Sequence, residues 1–403
     1  MSASAGPASA ADVVLHIGLM KSGTTYLQRV LHTNRARLAE QGFAFPGDDW
    51  RLQVLAVEEL IDRRTKGKPV VAGSWDALVA AIGAHAGPSL VSMEFLSAAD
   101  AKQAGRAVAS FPGRRVRVVI TVRDLARTIP ALWQERVRTG DTATYPEFVQ
   151  FALSSGRSVR HPRKRMPLRG QDLERVLTTW QPLVAPEDLV VVTVPPNGAP
   201  RDLLWQRFCE AVGLDPAGFA LEGQGNESLG AVSVELIRRM NEVMGDKRHR
   251  WAVRQRVKYR LGRQVLVARR DVEPTLVLPA SARDAVAERA DAIVAAVAQA
   301  GPTVIGDLSE LRVADPPTGS RETTEDPTSL PDSDLLAAAV DALATLMAPG
   351  RRATADDPGS DPDDDFDTDE DTDEDDDDRS DEAGDGEAFD QRPSAGAGED
   401  HDG

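Results

Sequence analysis

Two short stretches of the sequence carry the residue types that anion chemistry needs. The first, Lys21-Ser22-Gly23-Thr24-Thr25, puts one ammonium, three hydroxyls and a glycine into five positions. An apolar run, Val13-Val14-Leu15-His16-Ile17, precedes it, and Tyr26, Leu27, Val30, Leu31 and Leu38 follow with helical spacing. This pattern predicts a strand, a turn and a helix. The first N–H groups of that helix lack intrahelical partners and converge on the turn, where the helix dipole favours negative charge. Gly23 allows the main chain close to an anion, and Lys21 adds a full positive charge. The second stretch begins at Arg123, directly after the apolar run 116–122, where a guanidinium fork can take a phosphate in bidentate geometry. Its alternative role is a strand-end ion pair with Asp124 or Glu135. A third group is Glu94, which closes the run 89–93. A carboxylate ending a buried strand is costly unless it is used or paired, so either chemistry or a structural Arg or helix cap accounts for it.

Strands are expected at 13–17, 42–47, 89–94, 116–122 and 189–194. Helical patterns fall between them at about 26–38, 51–64, 75–85, 98–110, 125–138 and 200–213. Near-continuous apolar strands alternating with helices imply an α/β fold: a three-layer sandwich around a central parallel sheet of about five strands. Ligands of such sheets bind beyond the carboxyl ends of the strands, which brings Lys21, Glu94 and Arg123 to one rim. From about 228 the chain reads as a helical cover, with helices at 228–245, 250–267 and 279–300. The expected organisation is a disordered leader at 1–11, an α/β domain with its cover at 12–312, a linker at 313–331 and a helix at 332–348. A disordered acidic tail follows at 349–403.

The net charge of −17 belongs to that tail: residues 351–403 hold 24 Asp and Glu against four Arg. The preceding 350 residues carry 43 basic and 40 acidic side chains and are nearly neutral. The tail has too little apolar content to offset its ordering entropy. The single cysteine, Cys209, excludes a disulfide within the chain and a cysteine-based zinc site; its helical apolar neighbours make it a core thiol. No signal peptide and no membrane-length apolar run is seen, so a cytoplasmic protein is expected. Basic clusters occur at 157–169, around His161, and at 247–263. Each is either a loop or lid over the site or a solvated surface. Neither shows the aromatic interleaving of nucleic-acid platforms.

The order of residues in the first stretch differs from the GxxxxGK[ST] loop of kinases and ATPases, because Lys21 comes two positions before Gly23. Lys21 to Thr25 instead resembles the 5′-phosphosulfate loop of sulfotransferases that use 3′-phosphoadenosine-5′-phosphosulfate. The resemblance extends through Ser92 to Ser97, Arg123 to Arg127 and Pro130 to Glu135, and more weakly to about residue 310. It implies a P-loop-like fold and transfer of a sulfuryl group to a hydroxyl or amine of an unknown acceptor, with no metal expected. It also implies cofactor contacts from Lys21, Ser22, Gly23, Thr24, Thr25, Tyr26 and Arg123. Lys21 would stabilise the leaving group, with Glu94 as candidate base and His16 as second candidate, although a strand histidine is more often a core residue. One departure stands out. The family pattern places a Ser eight residues after the Arg, where this chain has Ala131, leaving Thr128 or Arg127 as substitutes. Two other readings remain open: a small-molecule kinase of the P-loop type, and a sulfotransferase-like binding protein without catalysis.

Overall fold

The computed structural model describes residues 11–47, 49–63, 70–154, 171–221, 228–314 and 322–348. The expected leader up to residue 10, the basic loop with His161 and the acidic tail lie outside the described residues.

The first half of the chain alternates as expected. Strand β1 (Val13–His16) leads to helices α1 (Thr24–Thr33), α2 (Arg35–Glu40), α3 (Arg51–Leu60) and α4 (Ser74–Gly83). Strand β2 (Ser89–Ser92), helix α5 (Ala101–Ala109), strand β3 (Val116–Val122) and helix α6 (Leu125–Arg138) follow. Helices α7 (Tyr145–Leu153) and α8 (Leu173–Trp180), strand β4 (Leu189–Thr193) and helix α9 (Leu203–Val212) complete this part. Side-chain caps start several helices where the sequence offers them. Asp100 and Thr144 form capping boxes with Gln103 and Glu147, and Asp124 opens α6 by accepting from the Arg127 amide.

Five parallel strands form the central sheet in the order β2-β1-β3-β4-β6, where β6 is Thr303–Ile305. The strand expected at 42–47 contributes only one bridge, Ala44 to Ser89. Pro46 has no N–H to extend that pairing. The fifth strand is instead β6, a three-residue segment in a region expected to be helical cover.

Side chains alternate across the sheet and build a core on each face. On one side Val13, Leu15, Val118, Ile120 and Val191 pack with Trp75, Leu78, Ala104 and Trp180 of α4, α5 and α8. On the other, Val14, Leu90, Val119, Val190 and Val192 pack with Leu27 and Leu31 of α1 and with Trp205, Phe208 and Cys209 of α9. The result is a three-layer α/β arrangement. Arg117, buried near the start of β3, is matched at the amino-terminal end of the sheet by Asp188 at 3.2 Å and by the Ala211 carbonyl at 3.1 Å. That charge is therefore settled away from the carboxyl rim.

The second half is the helical cover: α10 (Ala231–Met244), α11 (Trp251–Gln255), strand β5 (Thr275–Leu276), α12 (Arg283–Ala300), strand β7 (Thr323–Thr324) and α13 (Asp332–Met347). Ile129 and Trp133 of α6, Tyr145 and Phe148 of α7, Ile237 of α10 and Val286 of α12 share a third core. The helix expected at 250–267 breaks up. After α11 it widens into a π-helical segment, Arg256–Arg263, which contains Gly262 and four cationic residues. Within the segment expected as linker, β7 pairs in parallel with β5. Helix α13 docks through Leu335 and Ala338 on Val232 of α10, and its Asp332 pairs with Arg239 at 2.8 Å. Among the described residues no helix is long and apolar enough to cross a membrane.

Candidate functional site

The strand order itself selects a crevice. From β1 the chain goes to β2 on one side of the sheet and then to β3 on the other, so the order reverses between β1 and β3. Connections leave this point in opposite directions and open a cleft beyond the strand ends. The loop after β1 and Arg123 after β3 flank that point. A cleft of about 1750 Å³ runs along the rim, and residues following β1, β2, β3, β4 and β6 all line it. Ten Lys or Arg side chains and five Asp or Glu side chains face this space, which makes it a basic cavity.

Hydrogen bonds to β3 shape the loop after β1. The amides of Ile17 and Leu19 donate to Val119 and Thr121, and the Ser22 hydroxyl donates to the Leu19 carbonyl. Lys21 adopts a left-handed conformation with φ of 60°, a strained state for a residue with a Cβ, of the kind that surrounding structure must hold in place. Gly23, with φ of 83°, starts α1 with no side-chain cap. A Cβ there would lie 2.5 Å from Leu204, so glycine satisfies both the backbone and the packing of α9. The first turn of α1 contains no acidic residue. The uncapped helix terminus and Lys21 thus present positive potential to the same space.

Beneath the loop lies a neutral network. His16 is fully buried; its Nδ1 is 2.7 Å from Ser92 Oγ and its Nε2 is 3.1 Å from Thr121 Oγ1. Ser22 Oγ is also 2.7 Å from Thr121 Oγ1. Burial lowers the His16 pKa to about 3, so the ring is neutral. It packs edge-on to Phe208 and does not line the cleft. The structure therefore places His16 and the Ser22 hydroxyl under the loop, and Lys21, Thr24, Thr25 and Tyr26 at the cleft.

Above the loop the chemistry is ionic. Lys21 Nζ donates to Glu135 Oε2 at 3.0 Å, and Arg138 Nη2 reaches the same oxygen at 2.6 Å. Lys258 of the π segment lies 3.3 Å from Glu135 Oε1. Burial pushes the Lys21 pKa down, opposed by Glu135. For Glu135 burial disfavours ionisation, but Arg138, Lys21 and Lys258 outweigh it and hold the carboxyl well below the usual range.

No family model, curated protein or solved structure matches the chain.

The cleft must therefore be interpreted from its own residues. Arg123 Nη1 lies 3.5 Å from the Lys21 carbonyl, and its buried Nε has no hydrogen-bond partner. Burial, with Arg127 nearby, lowers its pKa to about 10, so it remains a cation. The ion pair with Glu135 considered for Arg123 is made by Lys21 instead. Arg127 is committed to Asp124 and to the Pro195 carbonyl, at 2.9 Å from the latter. Thr128 is fully buried and does not line the cleft, whereas Ala131 does. Arg127, Ala131, Gln134, Glu135 and Arg138 form the cleft-facing stripe of α6, while Ile129 and Trp133 enter the helical core.

At the β2 end, Gln28 Nε2 donates at 3.0 Å to both Ser92 O and Glu94 Oε2, which fixes the carboxylate at the rim. Gln53 of α3 accepts from the Ser92 amide at 2.9 Å and so brings Trp50 and Val54 beside Met93 and Phe95. These four side chains give the cleft an apolar wall around Glu94. At the opposite end Tyr26, Leu204 and Leu221 line it. Among the described residues no group of three or more His, Cys, Asp or Glu side chains could hold a metal ion. Sequence reasoning named Glu135 only as a partner for Arg123 and Lys258 only within the basic run 247–263; it missed Arg138 and the cluster the three form with Lys21. The helical period of α6 was the available signal, since Arg127, Ala131, Glu135 and Arg138 recur at steps of four, four and three.

Proposed function

We propose that the chain transfers a sulfuryl group from 3′-phosphoadenosine-5′-phosphosulfate to a hydroxyl or amine. The observation that carries this reading is the pair of cationic ends flanking the switch between β1 and β3. Lys21 with the uncapped start of α1 stands on one side and Arg123 on the other. A nucleotide with charge at both its 5′ and 3′ positions has matching ends. Lys21 and the loop amides take the phosphosulfate, Arg123 takes the 3′-phosphate, and Tyr26, Leu204 and Leu221 offer the base an apolar contact.

In the reaction the sulfur–oxygen bond to the nucleotide phosphate breaks as a new bond to the acceptor heteroatom forms. Negative charge grows on the phosphate oxygen that leaves. A cation beside that oxygen stabilises the transition state more than the ground state, and Lys21 holds this role. The acceptor proton passes to Glu94, which Gln28 orients at the rim. The wall of Trp50, Val54, Met93 and Phe95 favours an acceptor with an apolar body next to the reacting group.

Isothermal titration with adenosine 3′,5′-bisphosphate and with ATP tests the donor. Binding of the bisphosphate in preference to ATP is expected, together with transfer of label from a radiolabelled phosphosulfate donor to a cell extract. Preference for ATP supports a small-molecule kinase. Bisphosphate binding without transfer supports a binding protein.

A further inference from the structure

Glu135 occupies the centre of the cationic cluster, and nothing in the proposed chemistry uses it. Its side chain is 11 % exposed, and the three cations around it come from separate elements: the loop after β1, the end of α6 and the π segment. Lys21 and Arg138 share the single oxygen Oε2 of this carboxylate, which does not neutralise both in a space withdrawn from water, so the site gains from further negative charge. Arg123 and Arg138 both line the cleft and both have a buried Nε without a hydrogen-bond partner. The Glu135 carboxylate also sits on the very ammonium that an anion in the loop must engage.

We infer that Glu135 is a positioning residue acting as an internal counter-anion. It holds Lys21 and Lys258 at the cleft when no ligand is bound, and it gives up Lys21 to the phosphoryl or sulfuryl end of the ligand. An entering group must then offer Lys21 more charge than a carboxylate does. Diphosphate and phosphosulfate groups meet that condition, and a simple monoanion does not. The inference rests on the loop being an anion site, but not on sulfuryl transfer.

The test is calorimetric titration of inorganic pyrophosphate into the unsubstituted protein, Glu135→Gln and Glu135→Asp at one fixed ionic strength. With the competing charge removed, Glu135→Gln should bind about tenfold more tightly. Glu135→Asp keeps the charge and should stay within about threefold of the unsubstituted protein. Unchanged or weaker binding by Glu135→Gln overturns the inference and leaves the anion site standing. Absence of binding to the unsubstituted protein removes the anion site and the inference together. If Glu135→Gln does not fold, a structure of the unsubstituted protein with pyrophosphate decides. Lys21 Nζ beyond about 4 Å from Glu135 supports the displacement, and an intact ion pair beside bound pyrophosphate overturns it.

Discussion

The polar clusters on the two sides of the loop after β1 follow opposite rules. Below it, His16, Ser92, Thr121 and Ser22 form a neutral chain with links of 2.7 to 3.1 Å, closed off from the cleft. Above it, Lys21, Arg138 and Lys258 crowd one carboxylate at the cleft wall. The lower cluster satisfies its hydrogen bonds within the protein and holds the loop in shape. The upper one keeps an excess of positive charge that a ligand can answer. Lys21 and His16 are five positions apart and belong to different functions, so sequence proximity to a phosphate-type loop does not make a residue chemical. What separates them is whether the protein has already settled their polar groups.

Removing Lys21 should produce the largest effect that separates the clusters. Lys21→Ala is expected to lower sulfuryl transfer about a hundred- to thousandfold, the loss typical of a group aimed at developing charge. Its melting temperature should change little, because Arg138 and Lys258 still pair with Glu135. Steady-state rates alongside thermal melts check both halves. Retained turnover, or unfolding, erases the distinction.

His16→Ala should do the reverse. It leaves the Ser92 and Thr121 hydroxyls without their shared partner and opens a cavity against Phe208, at a cost of about 2–4 kcal/mol. Bisphosphate affinity of the folded fraction should stay within about threefold. Urea unfolding and titration measure the two quantities. A loss of turnover at unchanged stability would instead assign His16 to chemistry.

The same histidine gives the comparison a pH signature. Its folded pKa of about 3 lies below the unfolded value of 6.5. Between these limits the unfolded chain binds the extra proton, so stability falls as pH falls through that window. The contribution approaches about 1.4 kcal/mol per pH unit. Carboxylates such as Glu135 also lose stability toward acid, so the informative quantity is the difference from His16→Gln. That variant should show a shallower slope between about pH 6 and pH 4 in urea unfolding, and parallel slopes would contradict a neutral floor.

Much of this arrangement was legible in the sequence because β1, β3 and β4 are apolar runs buried along their whole length. Their ends therefore put Lys21 and Arg123 on one rim, and β2 put Glu94 there too. Strand β6 was not legible: three residues after an 18-residue helix carry no period, and only Ile305 is buried. The Gly42 to Gly47 segment was misread because an apolar pattern bounded by turn residues does not reveal how few of its amides find partners. Glu135 shows a third limit. The period of α6 assigns it to a face, but its contact with Lys21, 114 positions away, arises from the packing of α6 over the end of β1.

Arg123 and Ala131 allow finer tests of the proposed 3′-phosphate contact. Arg123→Lys keeps the charge but loses the planar fork, and should weaken adenosine 3′,5′-bisphosphate binding about tenfold while changing pyrophosphate binding little. The smallest effect concerns Ala131, which lines the cleft on the same stripe of α6 as Arg127 and Glu135. Ala131→Ser places a hydroxyl where the sulfotransferase pattern has one. The net value of one added hydrogen bond is about 0.5–1.5 kcal/mol, so bisphosphate binding should tighten by about two- to tenfold. Binding of adenosine 5′-phosphosulfate, which lacks the 3′-phosphate, should not change. An equal gain for both nucleotides would mean that the new hydroxyl contacts something other than the 3′-phosphate, and the two-ended reading of the cleft would lose its far anchor.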